Sequence, residues 1–420
     1  MSRATLILLA LVAGLALGIG ASAIGGDWVE PSIAVAEPIG KLWLNALQMT
    51  IIPLVVSLLI TGIAAGAEAA RSSRLAARSI LLFVVLLAAS SIIAAILTPL
   101  FLSLWPLPPE SGNALRTALQ TSEPVGEMPG FAEFLLAIVP TNPLAAAVNN
   151  AVLPLIIFTA TFAFALTRLP AEPRERLTGF FRALSEVMLV MVGWILWLAP
   201  IGVFALAYVV GARAGGAAFG ALLHYVLIVT AVGTVIWLLS YPVGVIGSRV
   251  GIGRFARAAA PAQAVAISTQ SSLASLPAML RGAETLQIPV AASGVVLPLA
   301  VAVFRITGPA MNLAVAIYIA HWFGIELGPM QIAAGVAAAA ITTIGAVGLP
   351  GQITFITSIA PVCFAMGVPI APLALLIAVE TIPDIMRTLG NVTMDLAATA
   401  TVTRGRAADA DAVVADPAPS

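Results

Sequence analysis

The feature that most constrains this chain is a series of long apolar segments separated by short polar ones. Runs of about 20 apolar residues match the thickness of a lipid bilayer, and they recur along the whole chain. Only 9% of its 420 residues are charged, against roughly 25% in a soluble domain. The chain therefore cannot cover a water-facing surface, and we predict an all-α polytopic membrane protein.

The apolar runs and their breaks predict eight transmembrane helices, at about 4–24, 38–66, 78–105, 131–168, 178–210, 217–247, 291–321 and 371–403. Two further apolar stretches, 257–290 and 329–370, are interrupted by Ser271–Pro277 and by Gly348–Gly351. Irregular backbone is not tolerated against lipid. Each stretch is therefore either a re-entrant helical hairpin or a kinked full span, and the pattern alone leaves both open.

The basic residues orient the chain in the membrane. With a cytoplasmic N-terminus, thirteen arginines lie inside and only Lys41, Arg116 and Arg213 lie outside. We therefore expect a plasma-membrane protein, of the bacterial inner-membrane type, with both termini cytoplasmic. Residues 1–25 also resemble a cleavable signal peptide, although we favour a retained first helix. Residues 405–420 are rich in Ala, Asp and Pro, which predicts a disordered cytoplasmic tail.

Several classes of function are disfavoured by composition. The single cysteine excludes an intrachain disulfide, and two histidines cannot build a histidine-rich metal site. The net charge is zero, which argues against nucleic acid as a partner. An intramembrane serine hydrolase is disfavoured because neither histidine lies near a Gly-rich Ser element. We predict no enzyme activity, no cofactor and no dedicated metal site.

The last predicted span carries a stripe of polar side chains. At about 100° per residue its members fall within an arc of roughly 100° on one helix face: Glu380, Asp384, Arg387, Thr388, Asn391 and Asp395. Each charge at mid-membrane costs on the order of 2.5–3.5 kcal/mol, so a stripe of four marks a functional pathway. The alternative is structural ion pairing, as between Asp384 and Arg387.

Arg305 is a further charge within an apolar span, and Gly308-Pro309 should break that span close by. A broken helix beside a charged stripe, flanked by two Ser- or Gly-rich hairpin tips, predicts a small-ligand site near the membrane midplane. Helix N-termini at the tips would direct backbone N–H groups toward an anion.

The polar residues of the last predicted span resemble the signature of a known family. Asp384-x-x-Arg387-Thr388-x-x-Asn391-x-x-x-Asp395 is similar to the last-helix signature of the dicarboxylate/amino acid:cation symporters, which include the glutamate transporters. Further segments resemble the family along nearly the whole chain: Leu47–Val55, Ile138–Pro143, Leu198–Ala205, Ser271–Pro277 and Gly348–Gly351.

The resemblance implies a homotrimer of protomers with eight helices and two re-entrant hairpins. It implies scaffold helices mainly in 1–256, with transport-domain helices 3 and 6, and a transport core in 257–404. It implies that Asp384 holds the substrate amino group and Arg387 its side-chain carboxylate. The other implied substrate contacts are Thr388, Asn391, Gly308 and the tip residues Gln270, Ser271, Ser272, Leu349 and Gly351.

The chain departs from the family where sodium ligands are expected. The seventh-helix sequence N-M-D-G-T of the family is Phe304-Arg305-Ile306-Thr307-Gly308 here, so an asparagine and an aspartate are missing. The third-helix region Leu82–Ala89 lacks the expected Tyr and Thr/Ser ligands, and Gln270 stands where an arginine is often found. The site therefore resembles a family site whose cation ligands are replaced by a fixed cation, Arg305.

Charge counting suggests how such a site is coupled. Three carboxylates, Glu380, Asp384 and Asp395, and two guanidiniums sum to −1, and an acidic amino acid would make −2. We therefore expect a secondary transporter of aspartate or glutamate that is not sodium-coupled, with Glu380 as the residue that takes a proton.

Other functions remain open. Transport could proceed as uncoupled exchange. Sodium could still bind at Asn391 and Asp395, the substrate could be another polar amino acid or a dicarboxylate, and the chain could be a channel or a receptor that keeps the site.

Overall fold

The computed structural model describes residues 3–107, 136, 138–344 and 351–404, and these residues form helices and no β-strands. The all-α prediction is confirmed. The helices are α1 (Arg3–Ile24), α2 (Val29–Ser72), α3 (Arg74–Leu104), α4 (Pro143–Val148), α5 (Val152–Leu166), α6 (Ala171–Trp197), α7 (Ala199–Ala214), α8 (Ala217–Ser248), α9 (Ile252–Thr269), α10 (Ser272–Thr285), α11 (Val290–Val303), α12 (Thr307–Phe323), α13 (Pro329–Ile344), α14 (Gly351–Met366), α15 (Leu373–Val379) and α16 (Thr381–Val402).

Six described helical segments are long and apolar enough to cross a membrane: Thr5–Ile24, Val29–Arg71, Arg74–Leu104, Ala171–Trp197, Phe219–Ser248 and Val290–Phe323. Shorter apolar helices accompany them, at Val152–Leu166, Ala199–Ala214, Pro329–Ile344 and Phe355–Met366. α16 is not among the six because its polar stripe lowers its hydropathy. The pattern fits a multi-pass membrane protein.

Within the described residues, four of the predicted continuous spans contain two separate helices each. In every case the second helix has a proline within its first turn: Pro154 in α5, Pro200 in α7, Pro309 in α12 and Pro383 in α16. Proline cannot donate a backbone hydrogen bond to the preceding turn, but it fits the first turn of a new helix. The predicted spans 131–168, 178–210, 291–321 and 371–403 therefore each contain a break.

α9 and α10 form a helical hairpin, as one of the two readings of 257–290 predicted. They pack against each other, and they are joined at Gln270, whose backbone takes the left-handed conformation with φ +51°. The Ser271 hydroxyl caps α10 by accepting a hydrogen bond from the Ala274 N–H at 3.2 Å. α13 and α14 also pack together, but their connection, including Leu349, lies outside the described residues.

α1 and α7 pack closely through glycines. A Cβ on Gly211 would lie 2.7 Å from the Leu15 carbonyl oxygen, and one on Gly18 would overlap the Tyr208 carbonyl oxygen. Small residues of this kind let membrane helices approach closely. Nearby, Glu37 of α2 pairs with both Lys41 and Arg213, so two of the three basic residues that we assigned to the outer side lie together.

α16 is surrounded by other helices. It packs most extensively against α8 and also contacts α3, α9, α10, α11, α12 and α14. The polar stripe is therefore surrounded by protein, and the breaks before α12 and α16 lie among these contacts.

Candidate functional site

The polar stripe of α16 is buried inside the protein, as its helical spacing predicted. Side chains that are 5% exposed or less make up most of it: Glu380, Asp384, Thr388, Asn391 and Asp395. The Arg387 side chain is 12% exposed. Because burial of an unpaired charge is costly, the partners of each group decide what the site can do.

Arg387 is the centre of the site. Its Nη2 donates to Oε1 of Glu380 at 2.9 Å, and its Nη1 donates to Oδ1 of Asn312 at 2.8 Å. Its Nε lies 3.7 Å from Oδ1 of Asp384. A guanidinium has five N–H donors arranged to grip planar acceptors. Arg387 therefore already binds one carboxylate of the chain closely and faces a second one.

Glu380 is held at both of its oxygens. Oε1 accepts from Arg387, and Oε2 accepts from the Tyr225 hydroxyl of α8 at 3.2 Å. Glu380 is 1% exposed and Tyr225 is fully buried. Glu380 lies at the junction of α15 and α16, where helical backbone angles continue through the break. The ion pair is thus formed within one polar stripe and is closed by a hydroxyl from another helix.

The break before α12 is tied directly to the stripe. Oδ1 of Asn391 accepts from the Thr307 N–H at 3.0 Å, and the Thr307 hydroxyl lies 2.8 Å from both that oxygen and the Arg387 carbonyl oxygen. The Ser90 hydroxyl of α3 donates to the Ile306 carbonyl. The break falls at 304–306 rather than at Gly308-Pro309, because Pro309 is accommodated in the first turn of α12.

Arg305 and Asp395 make no close ion pair. Within the described part of the chain, neither Asp395 oxygen nor the Arg305 Nε has a hydrogen-bond partner, and no acid lies within 4.0 Å of the Arg305 guanidinium. Arg305 therefore does not lie over Asp395 or Glu380 as we expected. It acts on them only through space, and Arg387 is the cation that Glu380 contacts.

The described hairpin tip reaches the start of α16. The Gln270 side-chain amide donates to the Thr381 carbonyl at 3.3 Å, three residues before Asp384. Ser272 is buried beside Ser271. A Cβ on Gly308 would lie 2.9 Å from a Thr343 side-chain carbon of α13, so glycine permits this close approach. Gly351 begins α14.

The Thr388 hydroxyl is committed within its own helix, where it donates to the Asp384 carbonyl at 3.0 Å. The structure thus brings Gln270, Gly308 and the stripe residues to one region around α16.

Four polar residues of the site were missed by sequence reasoning: Ser90, Tyr225, Thr307 and Asn312. Each is a polar residue in an apolar span and forms no stripe of its own. The only available signal was that an isolated polar side chain in such a span needs a partner. Among the residues that the structure describes, no group of three His, Cys, Asp or Glu side chains gathers as a metal site.

Comparison with known proteins identifies the family. Residues 4–404 match the Sodium:dicarboxylate symporter family. The chain belongs to this family. It is therefore a transporter rather than an enzyme, with the multi-pass membrane architecture of that family.

Similar proteins include the proton/glutamate-aspartate symporter of Escherichia coli (strain K12). The two are 29% identical over 405 residues, which cover 93% of this chain and 90% of that protein. The proton/sodium-glutamate symport protein of Geobacillus stearothermophilus is 26% identical, over 90% of this chain and 89% of its own. C4-dicarboxylate transport protein 2 of Ralstonia nicotianae (strain ATCC BAA-1114 / GMI1000) is 27% identical, over 94% of this chain and 87% of that protein.

Proposed function

We propose that this protein is a secondary active transporter of acidic amino acids, aspartate or glutamate. The observation that carries the proposal is the buried Arg387 guanidinium, which contacts a carboxylate at 2.9 Å and lies 3.7 Å from Asp384. A guanidinium fork suits a substrate carboxylate, and an aspartate suits an ammonium. The three similar proteins described above are named for glutamate and aspartate, glutamate, and C4-dicarboxylates, and Asp384 favours a substrate that carries an amine.

Substrate binding would compete with Glu380 for Arg387. A substrate carboxylate that takes the Arg387 donors displaces the Glu380 oxygen that now occupies one of them. Glu380 is then a buried carboxylate whose remaining hydrogen-bond partner, among the described residues, is the Tyr225 hydroxyl. A buried charge without a countercharge is unfavourable, so Glu380 takes up a proton. The replacement of Glu380 by substrate at Arg387 thus couples one proton to one acidic substrate.

Sodium coupling is the second candidate, and one observation favours it. Asp395 is completely buried with both oxygens unpartnered among the described residues, and such oxygens suit a cation. Against it, the Asn391 oxygen already accepts from Thr307. Arg305 is also a fixed positive charge in the break before α12, and it would disfavour a second cation in the site. We therefore favour the proton.

The packing of the helices supports a division into a moving part and a fixed part. α3 and α8 pack with α12 and α16, and α1, α2, α6 and α7 pack with one another. We assign the first group, with both hairpins, to a domain that carries substrate, and the second group to a scaffold. A homotrimer in a bacterial inner membrane with cytoplasmic termini completes the proposal. Cross-linking in native membranes tests the trimer, which cross-links confined to single protomers would contradict.

The test of function is uptake of labelled aspartate into proteoliposomes that contain choline in place of sodium. An imposed inward proton gradient should drive accumulation above the external concentration. Such accumulation separates a transporter from a channel or a receptor, because neither of these concentrates its ligand. Abolition of uptake by choline would instead favour sodium coupling, and uptake insensitive to pH would favour exchange.

A further inference from the structure

Tyr225 is placed to control the state of Glu380. Its hydroxyl is the second contact of the Glu380 carboxylate, at 3.2 Å from Oε2. The first contact, with Arg387, is the one that a substrate would remove. Both Tyr225 and Glu380 are essentially without solvent exposure, so this contact is made away from bulk water.

We propose that Tyr225 is a positioning residue that sets the pH at which Glu380 takes its proton. The proposal rests on the proton-coupled function proposed above. Tyr225 donates a hydrogen bond to the charged carboxylate, and a hydrogen bond to a charged acceptor is stronger than one to the neutral acid. Tyr225 therefore favours the ionised form of Glu380, and it keeps the released acid in place after a substrate takes Arg387.

The surroundings of Tyr225 leave its hydroxyl available to Glu380. Its ring packs edge-on against Tyr318 of α12, with ring centres 5.3 Å apart. The Tyr318 hydroxyl is engaged elsewhere: it donates to the Ala221 carbonyl at 3.0 Å and lies 3.0 Å from Nδ1 of His224. Tyr318 thus fixes the position of the Tyr225 ring and does not compete for Glu380.

Among the described residues, the ionisable groups around Glu380 lie on α16, α8 and α12. Arg387 and Asp384 face it from α16, and Tyr225 faces it from α8, with Tyr318 of α12 behind the Tyr225 ring. α12 also supplies the uncharged Asn312, which binds the same guanidinium as Glu380. Of these groups, Tyr225 contacts Glu380 without carrying a charge. A substitution of Tyr225 therefore changes a hydrogen bond of Glu380 and leaves the charge of the site unchanged.

The test is the pH dependence of aspartate uptake by the full-length protein in proteoliposomes without sodium. Tyr225→Phe removes the donor and keeps the ring, so the uptake curve should move to more alkaline pH by about one unit. Tyr318→Phe is the matched control, because it removes a neighbouring buried hydroxyl that does not bind Glu380. Its curve should match that of the parent. An unmoved curve for Tyr225→Phe, or an equal shift for Tyr318→Phe, would overturn the proposal.

A second variant keeps the proposal testable if Tyr225→Phe does not fold. Replacement of Tyr225 by 3-fluorotyrosine makes the hydroxyl a stronger donor, so the curve should move to more acidic pH. No shift, or an alkaline shift, would count against the proposal.

Glu380→Gln distinguishes a failure of the proton-coupled function from a failure of the role of Tyr225. If its uptake keeps the parental pH dependence, the proton-coupled function fails. If its uptake is independent of pH while the Tyr225 variants leave the curve unmoved, only the role of Tyr225 fails.

Discussion

Arg387 and Glu380 form an ion pair with a separation of 2.9 Å inside the protein. The carboxylate of Glu380 therefore occupies the kind of contact that an acidic substrate would make. A chain that supplies its own carboxylate to this arginine links substrate binding to the release of that carboxylate.

Arg387→Cys should abolish uptake of aspartate and glutamate and admit neutral amino acids. Breaking a buried charge pair costs about 3–5 kcal/mol, which corresponds to a loss of affinity of at least about 100-fold. The measurement is competition of unlabelled amino acids against labelled substrate. Arg176→Cys is the control, because Arg176 is exposed and pairs only with Glu172 on the surface. Retained aspartate affinity in Arg387→Cys would refute the assignment.

Asp384→Asn should separate amino acids from plain dicarboxylates. If Asp384 holds the substrate ammonium, inhibition by aspartate should weaken by about 10- to 100-fold, as for loss of a charged hydrogen bond. Inhibition by succinate, which has no amine, should not weaken. Glu172→Gln, an exposed acid outside the site, should change neither. Equal weakening of inhibition by aspartate and by succinate would show that Asp384 does not bind the substrate amine.

The double substitution Arg305→Met with Ile306→Asp should make uptake sodium-dependent. It removes the fixed cation and places a carboxylate in the buried position of Ile306. The Asp395 oxygens, which have no hydrogen-bond partner in the part of the chain that the structure describes, could then face a cation. The measurement compares aspartate uptake in sodium and in choline. Uptake that remains indifferent to sodium in a folded double variant would contradict the view that Arg305 replaces a bound cation.

Thr307→Val should destabilise the protein, because Thr307 ties the break before α12 to Asn391 and Arg387. The loss of its hydroxyl removes one buried hydrogen bond, while the Thr307 N–H still donates to Asn391, so the cost should be about 0.5–1.5 kcal/mol. Thermal unfolding in detergent measures it. Thr230→Val is the matched control, because the buried Thr230 hydroxyl has no hydrogen-bond partner among the described residues. Thr230→Val should be neutral or stabilising, and an equal loss in both variants would count against this role of Thr307.

The stripe of α16 was predictable because its six polar residues repeat with the helical period on an apolar background. Its partners were not, because Tyr225 and Asn312 are isolated polar residues in spans that carry no such repeat. Which side chains of other helices meet the stripe is decided by packing between helices, and spacing along one helix cannot supply it. The expected contact of Arg305 with Asp395 or Glu380 failed for the same reason.

Prolines show a similar limit in the fold. Pro154, Pro200, Pro309 and Pro383 lie in the first turn of a helix that follows a break, whereas Pro53 lies inside the continuous α2. Proline lacks a backbone N–H in either place, but in the first turn of a helix that N–H would have no intrahelical acceptor, whereas inside a helix one hydrogen bond is lost. Whether the helix breaks or bends depends on what neighbouring helices offer to the freed groups, and this information is not local in the sequence.

The most direct test of the coupling is the proton movement that accompanies substrate. Proteoliposomes without sodium, loaded with a pH-sensitive dye, are given external aspartate, and the internal pH is followed for the parent protein and for Glu380→Gln. The account predicts that aspartate acidifies the interior with the parent protein and that Glu380→Gln still binds aspartate without acidification. Acidification that persists in Glu380→Gln, or aspartate uptake by the parent protein that requires sodium, would contradict it.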